Sequence, residues 1–475
     1  MAKKTAVAAR SVTLPDLDLE GNLGYLDGLA KFLALKGNTL LIKGYAGAGK
    51  TTLSLQLLRQ LAREGNGVYI SSRVSEAKVG GHLPWVKEGR ITGTRYRFID
   101  LRLGTSSTVI EEMTRLLRSG QAKPSVIVVD TWDALAKELE EKERLKAEKT
   151  LMALADSSRA RIVFVSEEPG RTTMDYLVDG IIELVRSEEH GRIFREVEVQ
   201  KLRGTLIEQH KYLYTLLGGA FRHLQPYAPP KLSDAKSFKP ITDLDFAVSF
   251  GSAGMDGIFG GIRKGSTFAM EYTEMIPYTA IRTIEITLAI NALNAGHGVF
   301  LLTLPGASMK GVTSLIQPHV TPEVFSERLA IGMMENRPDA KPPFYPVEGG
   351  DAKKAAAAMS EAISRVRSHS TDSSVVVIES VGQLEGMFAS HVNNLLEGLA
   401  TRVSKIQQSS TDCMLLLIQP DSMLKSQILS MCRGYARLFV KDRSIVLMGE
   451  KPSTEAYVLE HSEENSLIPE LTKIV

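Results

Sequence analysis

Two cysteines, Cys413 and Cys432, are all that 475 residues contain, and their spacing builds neither a zinc site nor a disulfide framework. They read as reduced thiols. Excess charge is lacking too: 57 Lys and Arg stand against 55 Asp and Glu, so no long-range field gathers nucleic acid or an acidic membrane surface. The nine histidines include no H-x-x-x-H or comparable cluster, which removes the usual support for zinc. No apolar run reaches the roughly 18 residues that a membrane span needs, and residues 1–10, despite Lys3 and Lys4, lack the apolar core of a leader peptide. A cytoplasmic protein with no membrane or nucleic-acid partner is the expectation.

What is present is the composition of an ordinary globular protein, 43% hydrophobic and 24% charged, in a chain longer than one core usually serves. Two large domains fit best. Residues 38–43 form an apolar run ending in glycine, after which Leu53, Leu55, Leu57, Leu58 and Leu61 recur with mostly helical spacing. Val68–Ser71, Val126–Val129 and Ile162–Val165 predict further strands, and Thr108–Leu117 predicts a helix. Strands that are apolar throughout and alternate with helices predict a mostly parallel sheet flanked by helices, an α/β fold. Gly180–Val185 and Arg195–Lys201 predict terminal strands paired antiparallel.

Proline then interrupts the pattern. Gln225-Pro226-Tyr227-Ala228-Pro229-Pro230 and the polar stretch after it predict a linker over 225–243, between domains at 1–224 and 244–475. Beyond it the order repeats, with strands at Ile262–Met270, Val299–Leu302, Val375–Ile378 and Met414–Ile418, and a helix carrying Ile281, Ile284, Ile286, Leu288 and Ile290. An extra loop over 337–350 is marked by Pro338, Pro342, Pro343 and Pro346. The second half reads as a diverged copy of the first.

Gly44-Tyr45-Ala46-Gly47-Ala48-Gly49-Lys50-Thr51 matches G-x-x-x-x-G-K-[ST] in full, between a strand and a helix, and Thr52 continues it. Glycines let backbone wrap closely around phosphate, exposed N–H groups and the helix N-terminus favour anionic oxygens, Lys50 reaches the outer phosphates and the Thr51 hydroxyl ligates magnesium. Context argues against an incidental glycine-rich turn. Asp130, at the end of Val126–Val129, is the expected acidic partner for the metal, the Walker B residue, rather than a cap of the next turn. ATP with magnesium is therefore the expected ligand.

These motifs, with Lys201-Leu202-Arg203-Gly204-Thr205, resemble the KaiC-like branch of RecA-type ATPases over roughly residues 21 to 475. The resemblance implies two tandem RecA-like domains, a homo-oligomer with a ring of six as the family's assembly, and Lys201 and Arg203 acting on the triphosphate of the adjacent subunit. Solvated charges on an outer strand are the plainer alternative for that pair. Residues 69–75 and 166–173 look closest to archaeal GvpD-like proteins, associated with regulation of gas-vesicle formation. One departure matters. The family carries paired glutamates after the second strand to polarise water, whereas Arg73 and Val74 stand there. Glu76, Glu167 and Glu168 are the candidate displaced bases, with an exposed loop acid the plainer reading of Glu76.

The second copy departs further. After Met270 comes Glu271-Tyr272-Thr273-Glu274-Met275-Ile276-Pro277-Tyr278-Thr279, with no glycine and with Tyr278 where the lysine belongs, and Glu379 replaces the acid after Val375–Ile378. Side chains fill the space that phosphate needs, and two acids repel it, so a nucleotide-free pseudo-ATPase domain that serves a protein partner is predicted. Three functions stay open: a slow regulatory ATPase; a non-hydrolysing ATP switch or scaffold; and, least supported, a DNA-handling RecA-type ATPase, which rests on fold analogy alone.

Overall fold

The computed structural model describes residues 27–475 apart from 63–65, 88–89, 92–93, 119–123, 169, 231–237, 334–340, 348–350, 389–391 and 463–464. The chain divides into two compact units, residues 1–225 with Ile474–Val475, and Pro226–Lys473. No helix among the described residues is long and apolar enough to cross a membrane.

Eleven strands form the sheet of the first unit: β1 (Thr39–Gly44), β2 (Gly67–Ser71), β3 (Val86–Lys87), β4 (Arg90–Ile91), β5 (Thr94–Asp100), β6 (Val126–Asp130), β7 (Arg161–Ser166), β8 (Gly180–Glu189), β9 (Arg192–Leu202), β10 (Lys211–Thr215) and β11 (Arg222–His223). Their order is β11-β10-β9-β8-β1-β7-β6-β2-β5-β4-β3. The run from β5 to β8 is parallel and both of its outer ends turn antiparallel. Helices α1 (Asp27–Ala34), α2 (Lys50–Ala62), α3 (Glu76–His82), α4 (Ser106–Arg118), α5 (Trp132–Ala136), α6 (Glu141–Ser158) and α7 (Thr173–Leu177) complete the unit.

Alternation of side chains along each strand explains the two cores. Leu40 and Ile42 of β1 join Leu53 and Leu57 of α2 in one layer, while Leu41 joins Val109 and Met113 of α4 and Leu151 of α6 in the other. The central strands are buried on both faces, which is why they read as unbroken apolar runs. Gln56 fixes α2 from its far side: its Nε2 donates to Phe221 O at 3.0 Å and its Oε1 accepts from Phe221 N at 2.7 Å. The antiparallel pair predicted to end the sheet is present as the β8–β9 hairpin, but β10 and β11 extend the sheet past it. The charge-rich helix α6 buries part of its charge. Glu148 is fully buried and accepts from Trp132 Nε1 at 3.0 Å, Arg144 Nε at 2.9 Å and Thr173 Oγ1 at 3.0 Å.

The second unit contains β12 (Ala247–Val248), β13 (Ile262–Arg263), β14 (Ser266–Tyr272), β15 (Gly298–Leu302), β16 (Leu329–Met333), β17 (Phe344–Pro346), β18 (Val375–Ser380), β19 (Cys413–Ile418), β20 (Gly434–Lys441), β21 (Ser444–Lys451), β22 (Ser453–Ser462) and β23 (Asn465–Lys473). Ten of these form the order β17-β16-β15-β18-β19-β14-β20-β21-β22-β23. Superposed on the first order, β14 takes the place of β1, β18 that of β6 and β19 that of β7, with the same parallel and antiparallel steps from β16 to β23; at the outer edge β17 pairs parallel with β16, whereas β4 pairs antiparallel with β5. The expected duplication thus holds through all but the outer edge of the sheet, and the chain is an α/β protein of two tandem domains. Within the predicted extra loop, Phe344–Pro346 forms an edge strand, where a proline costs no ladder bond; Arg337 and Pro338 lie outside the described residues.

Glu379 of β18 is fully buried, and Arg402 Nη2 donates to it at 2.9 Å. Removing one partner leaves an uncompensated charge in the core. Arg402→Met is expected to destabilise the second unit by about 3–5 kcal/mol, with most of the loss recovered in Glu379→Leu/Arg402→Met. Both tryptophans, Trp85 and Trp132, belong to the first unit. Urea unfolding followed by far-ultraviolet circular dichroism therefore shifts while tryptophan emission does not; an unshifted dichroism curve contradicts the assignment.

Candidate functional site

The loop between β1 and α2 owes its shape to glycines at φ angles that other residues avoid, +149° at Gly44, +80° at Gly47 and +92° at Gly49. A methyl group at Gly49 would stand 2.7 Å from Leu216 Cδ2, so the turn has no room for one. Two side chains from the antiparallel strands grip the loop from outside. Tyr214 donates to Ala48 O at 2.7 Å, and Arg195 Nη1 donates to Tyr45 Oη at 2.7 Å and to Gly47 O at 3.3 Å. Ala46 completes the segment between them.

Inside the loop, Lys50 Nζ donates to Gly44 O and Tyr45 O, each at 2.8 Å, and lies 3.5 Å from Glu167 Oε1. Burial lowers the Lys50 pKa, opposed by the carboxylates of Glu167 and Asp130. Lys50 also opens α2, so the positive end of the helix faces the same space. The cavity there measures 470 Å³ and is lined by Gly47, Gly49, Lys50, Thr51, Thr52 and Asp130, with Arg73 and Glu167 opposite. Small-ligand sites are typically about 300–1,000 Å³.

Asp130 ends β6, and its Oδ2 accepts from Thr51 Oγ1 at 2.6 Å and from Tyr69 Oη at 2.5 Å. Tyr69 is fully buried; burial first, then the adjacent Asp130, raises its pKa well above the ordinary tyrosine value, so it remains a donor. The Thr51 hydroxyl and the Asp130 carboxylate are hard oxygens meeting at the cavity wall, a donor pair that fits magnesium held partly by phosphate. Among the described residues no cluster of three or more His, Cys, Asp or Glu forms a separate metal site.

The candidate bases part company. Glu167 pairs with both Lys50 and Arg73 at the cavity. Burial raises its pKa, but the Arg73 hydrogen bond and the Lys50 charge outweigh that and hold it below the usual glutamate value. Its backbone is fixed by Asp133, whose Oδ2 accepts from Glu167 N at 2.5 Å and whose Oδ1 accepts from Ser166 Oγ at 2.8 Å. Glu168 points elsewhere, to Arg144 Nη2 at 3.3 Å. Glu76 opens α3 behind the Ser75 cap and does not line the cavity. Trp85 is a core residue, with its Nε1 donating to Gly219 O at 2.9 Å.

Lys201, next to last in β9, and Arg203, just past it, stand at the end of the sheet opposite the chain's own phosphate loop. Leu202 pairs with Gly180, and Gly180 with Leu40 at the start of β1, whereas Gly44 pairs with Leu184. Lys201 Nζ donates to Val178 O at 2.5 Å and Asp175 O at 3.2 Å, and Arg203 Nη1 to Asp179 Oδ1 at 2.7 Å. Neither lines the cavity.

Tyr69, Asp133, Arg195 and Tyr214 were not singled out by sequence. For Tyr69 the signal lies in the register of the structure, which pairs Ser71, two residues further along the same face of β2, with Asp130.

At the corresponding place in the second unit, Glu271, next to last in β14, meets Lys425 Nζ at 2.9 Å, and the helix Tyr278–Asn294 starts at Tyr278 with Pro277 as its cap. The acid after the next-but-one strand, Glu379, faces Arg402 inside the core.

Residues 29–200 match the family model described as GvpD gas vesicle protein, P-loop domain. Protein GvpD2 of Halobacterium salinarum is 24% identical over 474 residues, covering 93% of this chain and 94% of that protein. Protein GvpD1 of the same organism is 23% identical over 290 residues, 56% of this chain and 54% of that one. Among solved structures, a KaiC-like protein of the hyperthermophilic archaeon Pyrococcus horikoshii shares 20% identity at a TM-score of 0.35, over 40% of this chain and 90% of its own. A P-loop domain implies nucleotide binding.

Tyr69→Phe removes one of the two donors that orient Asp130. Nucleotide affinity in the presence of magnesium is expected to fall about two- to tenfold, with affinity in its absence unchanged. Titration calorimetry with and without magnesium tests this; equal losses in both contradict a metal-positioning role.

Proposed function

From the premise that the chain is a P-loop protein of the KaiC/RecA type and is GvpD-like, we propose that it is a regulatory ATPase that binds ATP with magnesium in the first unit and hydrolyses it slowly. The convergence of Lys50, Thr51 and Asp130 on one cavity is the observation that carries this reading. Backbone N–H groups of the loop and the ammonium of Lys50 hold the phosphates, while Thr51 and Asp130 hold the metal. Magnesium, when bound, neutralises charge on the outer phosphates. Glu167 is the acid nearest the lysine and is the proposed base that orients water.

The protein acts as a homo-oligomer with nucleotide at subunit junctions. Support comes from Lys201 and Arg203, which stand at the wrong end of the sheet to serve their own loop but are free of that restriction toward a neighbour's. The second unit is a pseudo-ATPase domain with a protein partner, a reading supported by Glu271 and Glu379 being engaged by Lys425 and Arg402 in the phosphate-loop and metal positions. The matched family's association with gas vesicles makes control of that organelle the proposed setting.

A non-hydrolysing switch is the second reading, favoured by the ion pair of Arg73 with Glu167, the proposed base. Single-turnover release of phosphate from bound ATP within minutes excludes it; no release excludes the ATPase. Trans action is tested by mixing two inactive variants, Lys50→Ala and Arg203→Ala. Junctions that combine the intact half of each are expected to restore about a quarter of wild-type turnover. No recovery on mixing contradicts shared sites.

A further inference from the structure

The cavity holds a carboxylate between two cations. Glu167 Oε1 lies 3.5 Å from Lys50 Nζ, and Glu167 Oε2 takes the guanidinium of Arg73 from the other side. The acid does not arrive there by chance of rotamer alone, because Asp133 and Ser166 fix the backbone that carries it. Arg73 lies two residues past the end of β2 and is half exposed, so a change of its rotamer does not disturb the core. Lys78 lines the same wall, which makes three cations there against Asp130 and Glu167.

Lysine in a phosphate loop engages the outer phosphates. An anion that bridges Lys50 and Arg73 therefore sits where a terminal phosphate would sit. We propose that Arg73 is a ligand of the terminal phosphate of ATP bound to its own chain, and that Glu167 is the internal surrogate which this phosphate displaces. The inference rests on the reading that the cavity holds ATP. Guanidinium suits the exchange, since its planar fork binds carboxylate and phosphate in the same bidentate manner. Glu167 and the terminal phosphate repel each other, so both do not occupy the space between the two cations. A diphosphate lacks the group that reaches Arg73 and leaves the ion pair in place. Arg73, which stands where the family carries a glutamate, thereby makes the site discriminate ATP from ADP, and Glu167 is released from its pair only in the ATP state.

Dissociation constants for ADP and for a non-hydrolysable ATP analogue, each with magnesium, test this by calorimetry on the full chain. Arg73→Gln is expected to weaken the analogue about tenfold or more while ADP affinity stays within about twofold. Glu167→Gln is expected to strengthen the analogue, because its competitor for Arg73 has lost its charge. Equal effects of Arg73→Gln on both nucleotides, no effect on either, or a weakened analogue in Glu167→Gln overturn the proposal. Lys50→Ala serves as the separate check on the site itself. If it binds both nucleotides as the wild type does, or if the wild type binds neither, the ATP reading fails and this inference fails with it, a pattern distinct from an unaltered preference in Arg73→Gln.

Discussion

One oxygen, Asp130 Oδ2, joins the parts of the first unit that have to act together. It accepts from Thr51 at the start of α2 and from Tyr69 in the middle of β2. Strand β7 lies between β1 and β6, so Thr51 must reach across two inter-strand steps, about 10 Å, to meet the acid. The glycine turn makes that reach possible, and the buried tyrosine keeps the carboxylate aimed at it. Loosening either end leaves the Asp130 carboxylate without one of the two donors that hold it at the loop.

The surroundings of this junction are built by contacts distant in sequence. Arg195 and Tyr214 clamp the loop from strands that lie about 150 residues away in the chain, and Asp133 sets the turn that presents Glu167. This explains how far the sequence could be read. The phosphate loop and the strand bearing Asp130 were legible because their chemistry is local, glycines and Lys-Thr in one stretch and an acid closing an apolar run. The β5 strand went unread, since Arg95 and Arg97 interrupt it at an outer position where full burial is not required. Tyr69 looked like one more apolar strand residue. Only the register of β2 against β6 turns it toward Asp130. Likewise Glu167 and Glu168 are adjacent and chemically equal, yet opposite sides of a turn send one to Lys50 and the other to Arg144.

The second unit isolates what the sheet contributes from what the loop contributes. Its strands repeat the first order up to the outer edge, with β14, β18 and β19 buried along their lengths. In place of glycines it has side chains, and its acids are already matched by Lys425 and Arg402. A sheet of this kind folds on burial and ladder bonds alone. Phosphate recognition is an addition carried by a few residues at one edge, and it can be lost without loss of the scaffold.

The central claim is that phosphate recognition belongs to the first unit alone. Stoichiometry tests it most directly: equilibrium dialysis of the whole protein against saturating ATP and magnesium is predicted to give one nucleotide per chain. Two per chain, or none, contradicts the account.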